Sequence, residues 1–240
     1  MVRFPDEDKG RATWSILVIC TGNICRSPMA ERLAATRLNR LATLASRAEQ
    51  GESAVIVSSA GTRALVGDPM DPHAATVLAE RRVVGAGFRA RQVTPAMVAE
   101  ADLILCMTRA HRADVVAQTP RAVRRAFTLL EFARLTAVLT PDHPTAVKAQ
   151  LAACNQQGGL RSAGSALVAA SASARGTVPP VRLGDDDLED PLGRDLDAFR
   201  ACADSIERAL DPLIRWLTVF AEEPRGPGQT PEAAPPAHHS

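Results

Sequence analysis

Short apolar runs alternate with segments of helical periodicity over the first 140 residues of the chain. Four runs are typical of strands, at residues 16–20, 54–59, 102–107 and 125–128. Helical spacing of apolar residues follows these runs, at residues 29–47, 73–82, a short stretch from 109, and 129–139. Repeated strand-then-helix units predict an α/β fold in which helices cover both faces of a parallel sheet.

The pattern changes after residue 139. Residues 140–182 are rich in Ala, Ser, Gly and Pro and contain few large apolar residues, which predicts a loop insertion rather than a domain. Periodicity returns over residues 196–220, where we expect a long amphipathic helix that Pro212 could kink. A polar leader over residues 1–13 and a disordered tail over 221–240 would flank one domain.

Composition and charge narrow the function classes. The chain has 240 residues, of which 46% are hydrophobic, enough for a full core. Its net charge of +1 provides no field for binding nucleic acid or an acidic membrane surface. With no secretory signal or membrane-spanning run, we expect a cytoplasmic protein. Five irregularly spaced cysteines do not indicate a disulfide framework and leave at least one thiol free.

The candidate chemistry lies at residues 20–27, called the phosphate loop below, between the first strand and the first helix. Five residues separate Cys20 from Arg26: Thr21, Gly22, Asn23, Ile24 and Cys25. A loop at a helix start directs several backbone N–H groups toward one point, where the helix dipole adds positive charge. We expect Gly22 to permit a backbone path that a β-carbon would block and Asn23 to adopt a left-handed conformation.

This arrangement suits phosphoryl chemistry. Arg26 can bind two phosphate oxygens, while the amides, Arg26 and the Ser27 hydroxyl favour the thiolate form of Cys20, which is a nucleophile. The alternative is a buried cysteine at a strand end with an unrelated surface arginine nearby.

These residues resemble the signature of the low-molecular-weight protein tyrosine phosphatases. CTGNICRSP at residues 20–28 is similar almost letter for letter, as are SSAGT at 58–62, DLIL at 102–105, MTRAH at 107–111 and the Asp-Pro pair at 190–191. The resemblance implies a four-stranded parallel sheet in a three-layer, flavodoxin-like fold. It also implies a phosphatase that needs no metal or organic cofactor.

The resemblance assigns roles to matching positions. Cys20 matches the nucleophile, Arg26 the phosphate clamp, Ser27 the hydroxyl that stabilises the thiolate, and Asn23 the residue that shapes the loop, with Ser59 as its support. Asp190 matches the general acid that protonates the leaving phenolate and then activates water. The neighbouring Asp185, Asp186, Asp187 and Asp195 leave this assignment open to alternatives, including a solvated acidic loop.

Other positions bear on regulation and specificity. Cys25 matches a second loop cysteine that can form a reversible disulfide with the nucleophile, although a packing role is the alternative. Aromatic walls of the family's substrate pocket are replaced by Leu65 and Leu192, which would keep an apolar slot without ring stacking. Ile24 favours phosphotyrosine, because relatives that act on phosphoarginine tend to carry threonine there. We expect Cys106 to lie in the core and His111 on a helix surface.

Three functional interpretations follow. The first is a protein tyrosine phosphatase whose partner is a phosphotyrosine-containing protein, with a bacterial tyrosine kinase or its targets usual for the family. The second is an arsenate reductase of the same fold, which would need a closely spaced cysteine pair that Cys106 and Cys154 do not provide. The third is a phosphate-binding or redox-sensing protein without catalysis, which would need neither a nucleophile nor a general acid.

Overall fold

The computed structural model describes residues 13–46, 55–139, 159–179, 182 and 184–222. Three predicted features therefore lie wholly or mostly outside the described residues. They are the polar leader before residue 13, the part of the insertion over residues 140–158, which contains Cys154, and the tail from residue 223 onward.

One four-stranded parallel sheet forms the centre of the described structure, in the spatial order β2-β1-β3-β4. The strands are β1 (Trp14–Cys20), β2 (Val55–Gly61), β3 (Leu103–Cys106) and β4 (Ala126–Thr128). Both neighbours of β1 pair with it through most of its length, so β1 is buried on both faces. Its carboxyl end, at Cys20, lies beside Gly61 of β2.

Alternation along β1 divides its side chains between two cores. Ile16, Val18 and Cys20 belong to the larger core, whereas Leu17 and Ile19 belong to the smaller one. A strand with apolar residues at every position is what a sheet covered on both faces requires. The three-layer α/β prediction is therefore confirmed.

Helices cover both faces of the sheet. They are α1 (Arg26–Ser46), α2 (Pro72–Glu80), α3 (Pro95–Glu100), α4 (Arg109–Gln118), α5 (Leu129–Ala137), α6 (Gly159–Ala174) and α7 (Leu196–Glu222). The long final helix α7 contains Pro212, as predicted, and packs against α1 and α5. None of the described helices is long and apolar enough to cross a membrane.

The prediction of a loop over residues 140–182 is wrong for residues 159–174, which form α6. Buried Ala163, Leu167 and Ser171 recur at four-residue intervals and form the inner face of this helix. The small residues allow close packing: a β-carbon at Gly164 would lie 2.3 Å from the Trp14 ring. The scarcity of large apolar side chains in this segment reflects close packing of a helix against an aromatic residue rather than an irregular chain.

Candidate active site

The phosphate loop surrounds the sulfur of Cys20 with hydrogen-bonding groups. The backbone N–H of Asn23 donates to Cys20 Sγ at 3.3 Å, and the Ser27 hydroxyl lies 2.9 Å from the same sulfur. Cys20 itself is only 3% exposed. Helix α1 begins at Arg26, so its free N–H groups and positive dipole end lie at the loop. These surroundings stabilise negative charge on sulfur.

Asn23 fixes the shape of the loop through both ends of its side chain. Its backbone has a left-handed φ of 56°, which asparagine tolerates better than most residues. The side-chain amide donates to Ser27 Oγ and Ser59 Oγ, each at 2.9 Å, and its oxygen accepts the Arg91 N–H at 2.8 Å. The structure thus brings together Cys20, the predicted nucleophile, and its three predicted supports, Asn23, Ser27 and Ser59.

Glu31 extends this network and was missed by the sequence analysis. The Ser59 hydroxyl donates to a Glu31 carboxylate oxygen at 2.6 Å, and Arg91 Nη2 lies 3.6 Å from the same carboxylate. A hydrogen-bonded path therefore runs from a buried carboxylate through Ser59, Asn23 and Ser27 to Cys20. The sequence did contain a signal for Glu31: it is an acidic residue beside Ala30 on the apolar face of the helix.

The steric role expected of Gly22 belongs instead to Gly61. A β-carbon at Gly22 would make only ordinary contact, 3.6 Å from Ile24, so the prediction for Gly22 is wrong. At Gly61 a β-carbon would lie 2.3 Å from the carbonyl oxygen of Thr21. The end of β2 therefore approaches the phosphate loop as closely as a glycine allows, and Thr62 N–H donates to the Cys20 carbonyl at 2.9 Å.

Arg26 joins the phosphate loop to residues 185–195, called the acid loop below. Its guanidinium donates to the Leu188 carbonyl at 3.2 Å and forms an ion pair with Asp190. The Arg26 side chain is buried, whereas that of Asp190 is 43% exposed. Among the acidic residues of this segment, the structure brings Asp190 to the arginine of the phosphate loop.

The other acidic residues of the segment have different partners. Asp186 pairs with Arg134, and Asp195 accepts the Ala198 N–H near the start of α7. Asp187 accepts the backbone N–H of Arg109 at 2.7 Å and a guanidinium N–H at 3.1 Å. Burial alone would raise the pKa of Asp187, but these hydrogen bonds from Arg109 hold it below the ordinary value. The acid loop is thereby anchored on both sides of Asp190.

His111 is buried and belongs to the site, so its prediction as a helix-surface residue is wrong. Its two ring nitrogens each lie 2.8 Å from a threonine hydroxyl, Nε2 from Thr21 and Nδ1 from Thr108. Burial lowers the pKa of His111, and the Arg26 guanidinium lowers it further. The helical pattern around His111 gave no indication that Thr21, a residue distant in sequence, packs against its ring.

Two leucines lie at the rim of the site. Leu65 donates its N–H to the Gly22 carbonyl at 3.0 Å, and Leu192 donates its N–H to Asp190 at 3.2 Å. Their side chains are 49% and 54% exposed. The backbone of one predicted pocket wall therefore bonds to the phosphate loop and that of the other to Asp190, and both residues expose aliphatic surface.

None of the four described cysteines forms a disulfide. Burial raises the pKa of Cys25 and Cys106 well above the ordinary thiol range, and it raises that of Cys202 to about 12. Cys106 lies in the core, as predicted. Within the described ranges no cluster of three or more His, Cys, Asp or Glu side chains could hold a metal ion.

Comparison with known proteins adds independent findings. Residues 15–144 match the family model for low molecular weight phosphotyrosine protein phosphatase. A probable low molecular weight protein-tyrosine-phosphatase, EpsP of Ralstonia solanacearum, is 39% identical over 117 residues, which are 49% of this chain and 71% of EpsP. Etp of Escherichia coli strain K12, of the same class, is 43% identical over 106 residues, covering 44% of this chain and 62% of Etp.

A solved structure, the YwlE arginine phosphatase from Geobacillus stearothermophilus, superposes with a TM-score of 0.54 at 26% identity. The superposition covers 86% of this chain and 94% of that protein. Asp190 lies beyond the residues matched by the family model, so its role rests on its Asp-Pro context and on its position beside Arg26.

Proposed function

Since the chain belongs to the low molecular weight phosphotyrosine protein phosphatase family, we propose that it hydrolyses phosphotyrosine in proteins through a phosphocysteine intermediate on Cys20. Family membership makes the chain a protein-tyrosine phosphatase. The observation that carries the mechanism is a two-part arrangement at the start of α1. The Cys20 sulfur accepts the Asn23 N–H and lies 2.9 Å from the Ser27 hydroxyl, and the buried guanidinium of Arg26, in the same loop, pairs with the partly exposed carboxyl of Asp190.

In the first step Cys20 Sγ attacks phosphorus in line with the bond to the tyrosine oxygen. The S–P bond forms as the P–O bond breaks. Asp190, released from Arg26 by the entering phosphoryl group and protonated from solvent, delivers that proton to the departing phenolate. Arg26 and the N–H groups of residues 21–27 bind the three equatorial oxygens, where charge develops. The entering phosphoryl group replaces Asp190 as the partner of Arg26.

In the second step water attacks the phosphocysteine. Asp190, now a carboxylate, takes a proton from that water, and the S–P bond breaks to release phosphate. The electron pair of that bond returns to Cys20 as a thiolate, which the Ser27 hydroxyl at 2.9 Å stabilises. The sum is phosphotyrosine plus water giving tyrosine plus phosphate, and no electron leaves or enters the cycle.

The depth of the nucleophile supports phosphotyrosine over shorter phosphoamino acids. Cys20 is almost fully buried, while Leu65 and Leu192 are exposed at the rim, so the phosphoryl group must project from a long side chain. The aliphatic rim can contact a phenyl ring by area burial alone. We propose a phosphotyrosine protein as the partner, with a bacterial tyrosine kinase as the first candidate, and the reducing cytoplasm as the compartment.

Arsenate reduction is disfavoured by the described cysteines. Cys106 and Cys202 are buried thiols whose pKa is raised by desolvation, so neither is suited to pass a disulfide. A binding role without catalysis would need neither the Cys20 thiol nor the Asp190 carboxyl beside Arg26.

The test compares kcat/KM for a phosphotyrosine peptide, a phosphoserine peptide and phosphoarginine, in the wild type and in Ile24→Thr. We expect the phosphotyrosine peptide to be the best substrate of the wild type, and Ile24→Thr to raise the relative rate with phosphoarginine. A wild type that prefers phosphoarginine would overturn the substrate assignment while leaving the Cys20 chemistry in place.

A further inference from the structure

His111 connects the phosphate loop to the turn between β3 and α4. Its Nε2 lies 2.8 Å from the hydroxyl of Thr21, the residue that follows the nucleophile. Its Nδ1 lies 2.8 Å from the hydroxyl of Thr108, which caps α4 and also accepts the His111 backbone N–H at 3.3 Å. A neutral imidazole has one donor and one acceptor nitrogen, so it can satisfy one hydroxyl on each side.

The same turn anchors the acid loop. The Met107 carbonyl accepts the Leu188 N–H at 2.8 Å, and Arg109 holds Asp187 through its backbone and its guanidinium. These contacts lie two and three residues before Asp190. The turn therefore contacts the phosphate loop through His111 and the acid loop through its flanking residues.

We infer that His111 is a positioning residue, which holds the phosphate loop at the correct distance from the acid loop through the two threonine hydroxyls. This inference rests on the proposed function, because that distance matters only if Cys20 and Asp190 act on the same phosphoryl group. Both ring nitrogens are occupied by threonines, so His111 acts through the loop rather than on the substrate.

The charges that surround His111 link it to phosphate binding. Burial and the neighbouring cations disfavour the imidazolium, while the neighbouring carboxylates favour it; the charged groups are Arg26, Arg63, Asp114, Asp187 and Asp190. Arg26 is the cation that most strongly opposes protonation of His111, and a phosphate dianion bound to Arg26 would offset its charge. Protonation of His111 and binding of the dianion should therefore be coupled, each favouring the other by the same factor.

The kinetic test uses His111→Ala and His111→Gln, with His73→Gln as a matched control because His73 is exposed on α2. We expect His111→Ala to lower kcat and kcat/KM for p-nitrophenyl phosphate together, by about tenfold, because the hydrogen bond that holds Thr21 in place for the transition state is lost. Glutamine retains a donor and an acceptor, so His111→Gln should recover most of the activity and change the acidic limb of the pH profile.

Circular dichroism melting of each variant separates a folding defect from a kinetic one, and His111→Gln provides the test if His111→Ala does not fold. If the wild type is active and both His111→Ala and His111→Gln have the same kcat, KM and pH profile as the wild type, the inference is overturned and the proposed function stands.

A second measurement does not depend on turnover. The pKa of His111 in the wild-type protein is measured by NMR titration of its ring protons, without and with saturating inorganic phosphate. We expect a pKa below the ordinary 6.5 in the free protein and a higher value with phosphate. A value that does not respond to phosphate would overturn the coupling. An inactive wild type would refute the proposed function and the positioning role that rests on it, while the titration would still decide whether His111 is coupled to phosphate binding.

Discussion

The Arg26 guanidinium forms an ion pair with the Asp190 carboxylate, although 164 positions separate the two residues along the chain. The pair joins the start of α1 to the acid loop. Because a bidentate arginine–phosphate contact needs the same guanidinium, phosphate entry must exchange one anionic partner for another. The acid is thus within reach of the phosphoryl group from the moment it binds.

Asp190→Ala should slow turnover by roughly 10²- to 10⁴-fold, the usual contribution of general acid–base catalysis. No residue of the phosphate loop is substituted and Arg26 loses a competing anionic partner, so binding of inorganic phosphate should persist or tighten. Steady-state kinetics with a phosphotyrosine peptide and calorimetric titration with phosphate measure the two effects. Asp195→Ala is the matched control, since Asp195 caps α7 and its loss should affect stability alone. Equal activity of the wild type and Asp190→Ala would remove Asp190 from the mechanism.

Ser59→Ala should destabilise the fold and reduce activity. The Ser59 hydroxyl donates to buried Glu31 and accepts from Asn23, so its removal leaves two buried polar groups with one partner fewer. We expect a loss of about 1–3 kcal/mol in the free energy of unfolding. Ser58→Ala is the control on the adjacent residue, whose hydroxyl makes only a 3.5 Å contact with the Ile16 carbonyl. Similar unfolding free energies for the two variants in urea would contradict the network.

Gly61→Ala should be far more damaging to stability than Gly22→Ala. An added β-carbon would overlap the Thr21 carbonyl at Gly61 and meet only an ordinary contact at Gly22. Overpacking of this kind typically costs about 1–3 kcal/mol, which thermal unfolding monitored by circular dichroism would detect. A larger loss of unfolding temperature in Gly22→Ala would restore the steric role to Gly22.

Asp187 should contribute a pH-dependent part of the stability. Its pKa is held below the ordinary 3.8, so its contribution is present above that value and is lost as the pH falls through the folded-state pKa. Asp187→Asn should therefore show a shallower decline in unfolding free energy over the acid range than the wild type. Urea titrations at a series of pH values make the comparison, and parallel curves would exclude this contribution.

The arrangement of the phosphate loop could be predicted from the sequence because its residues are contiguous. A strand end followed by a helix start fixes how they face one point. The assignment of Asp190 came instead from the Asp-Pro pair and the family resemblance, and only the fold shows its pairing with Arg26.

Contacts between segments that are distant along the chain could not be predicted from the sequence. Glu31 reaches Ser59 across 28 positions and His111 reaches Thr21 across 90, so their partners depend on how β2 and α4 pack against the phosphate loop. Helix α6 was missed because its inner face is built from small residues that fit around Trp14, and small residues leave little apolar periodicity.

The most direct test of the account is hydrolysis of p-nitrophenyl phosphate under reducing conditions by the wild type and Cys20→Ser. The wild type should release p-nitrophenol, and mass spectrometry of an acid-quenched reaction should find a phosphoryl group on Cys20. Cys20→Ser should lose the activity while retaining the fold by circular dichroism. Turnover in Cys20→Ser equal to that of the wild type, or a phosphoryl group on another residue, would contradict the assignment of Cys20 as the nucleophile.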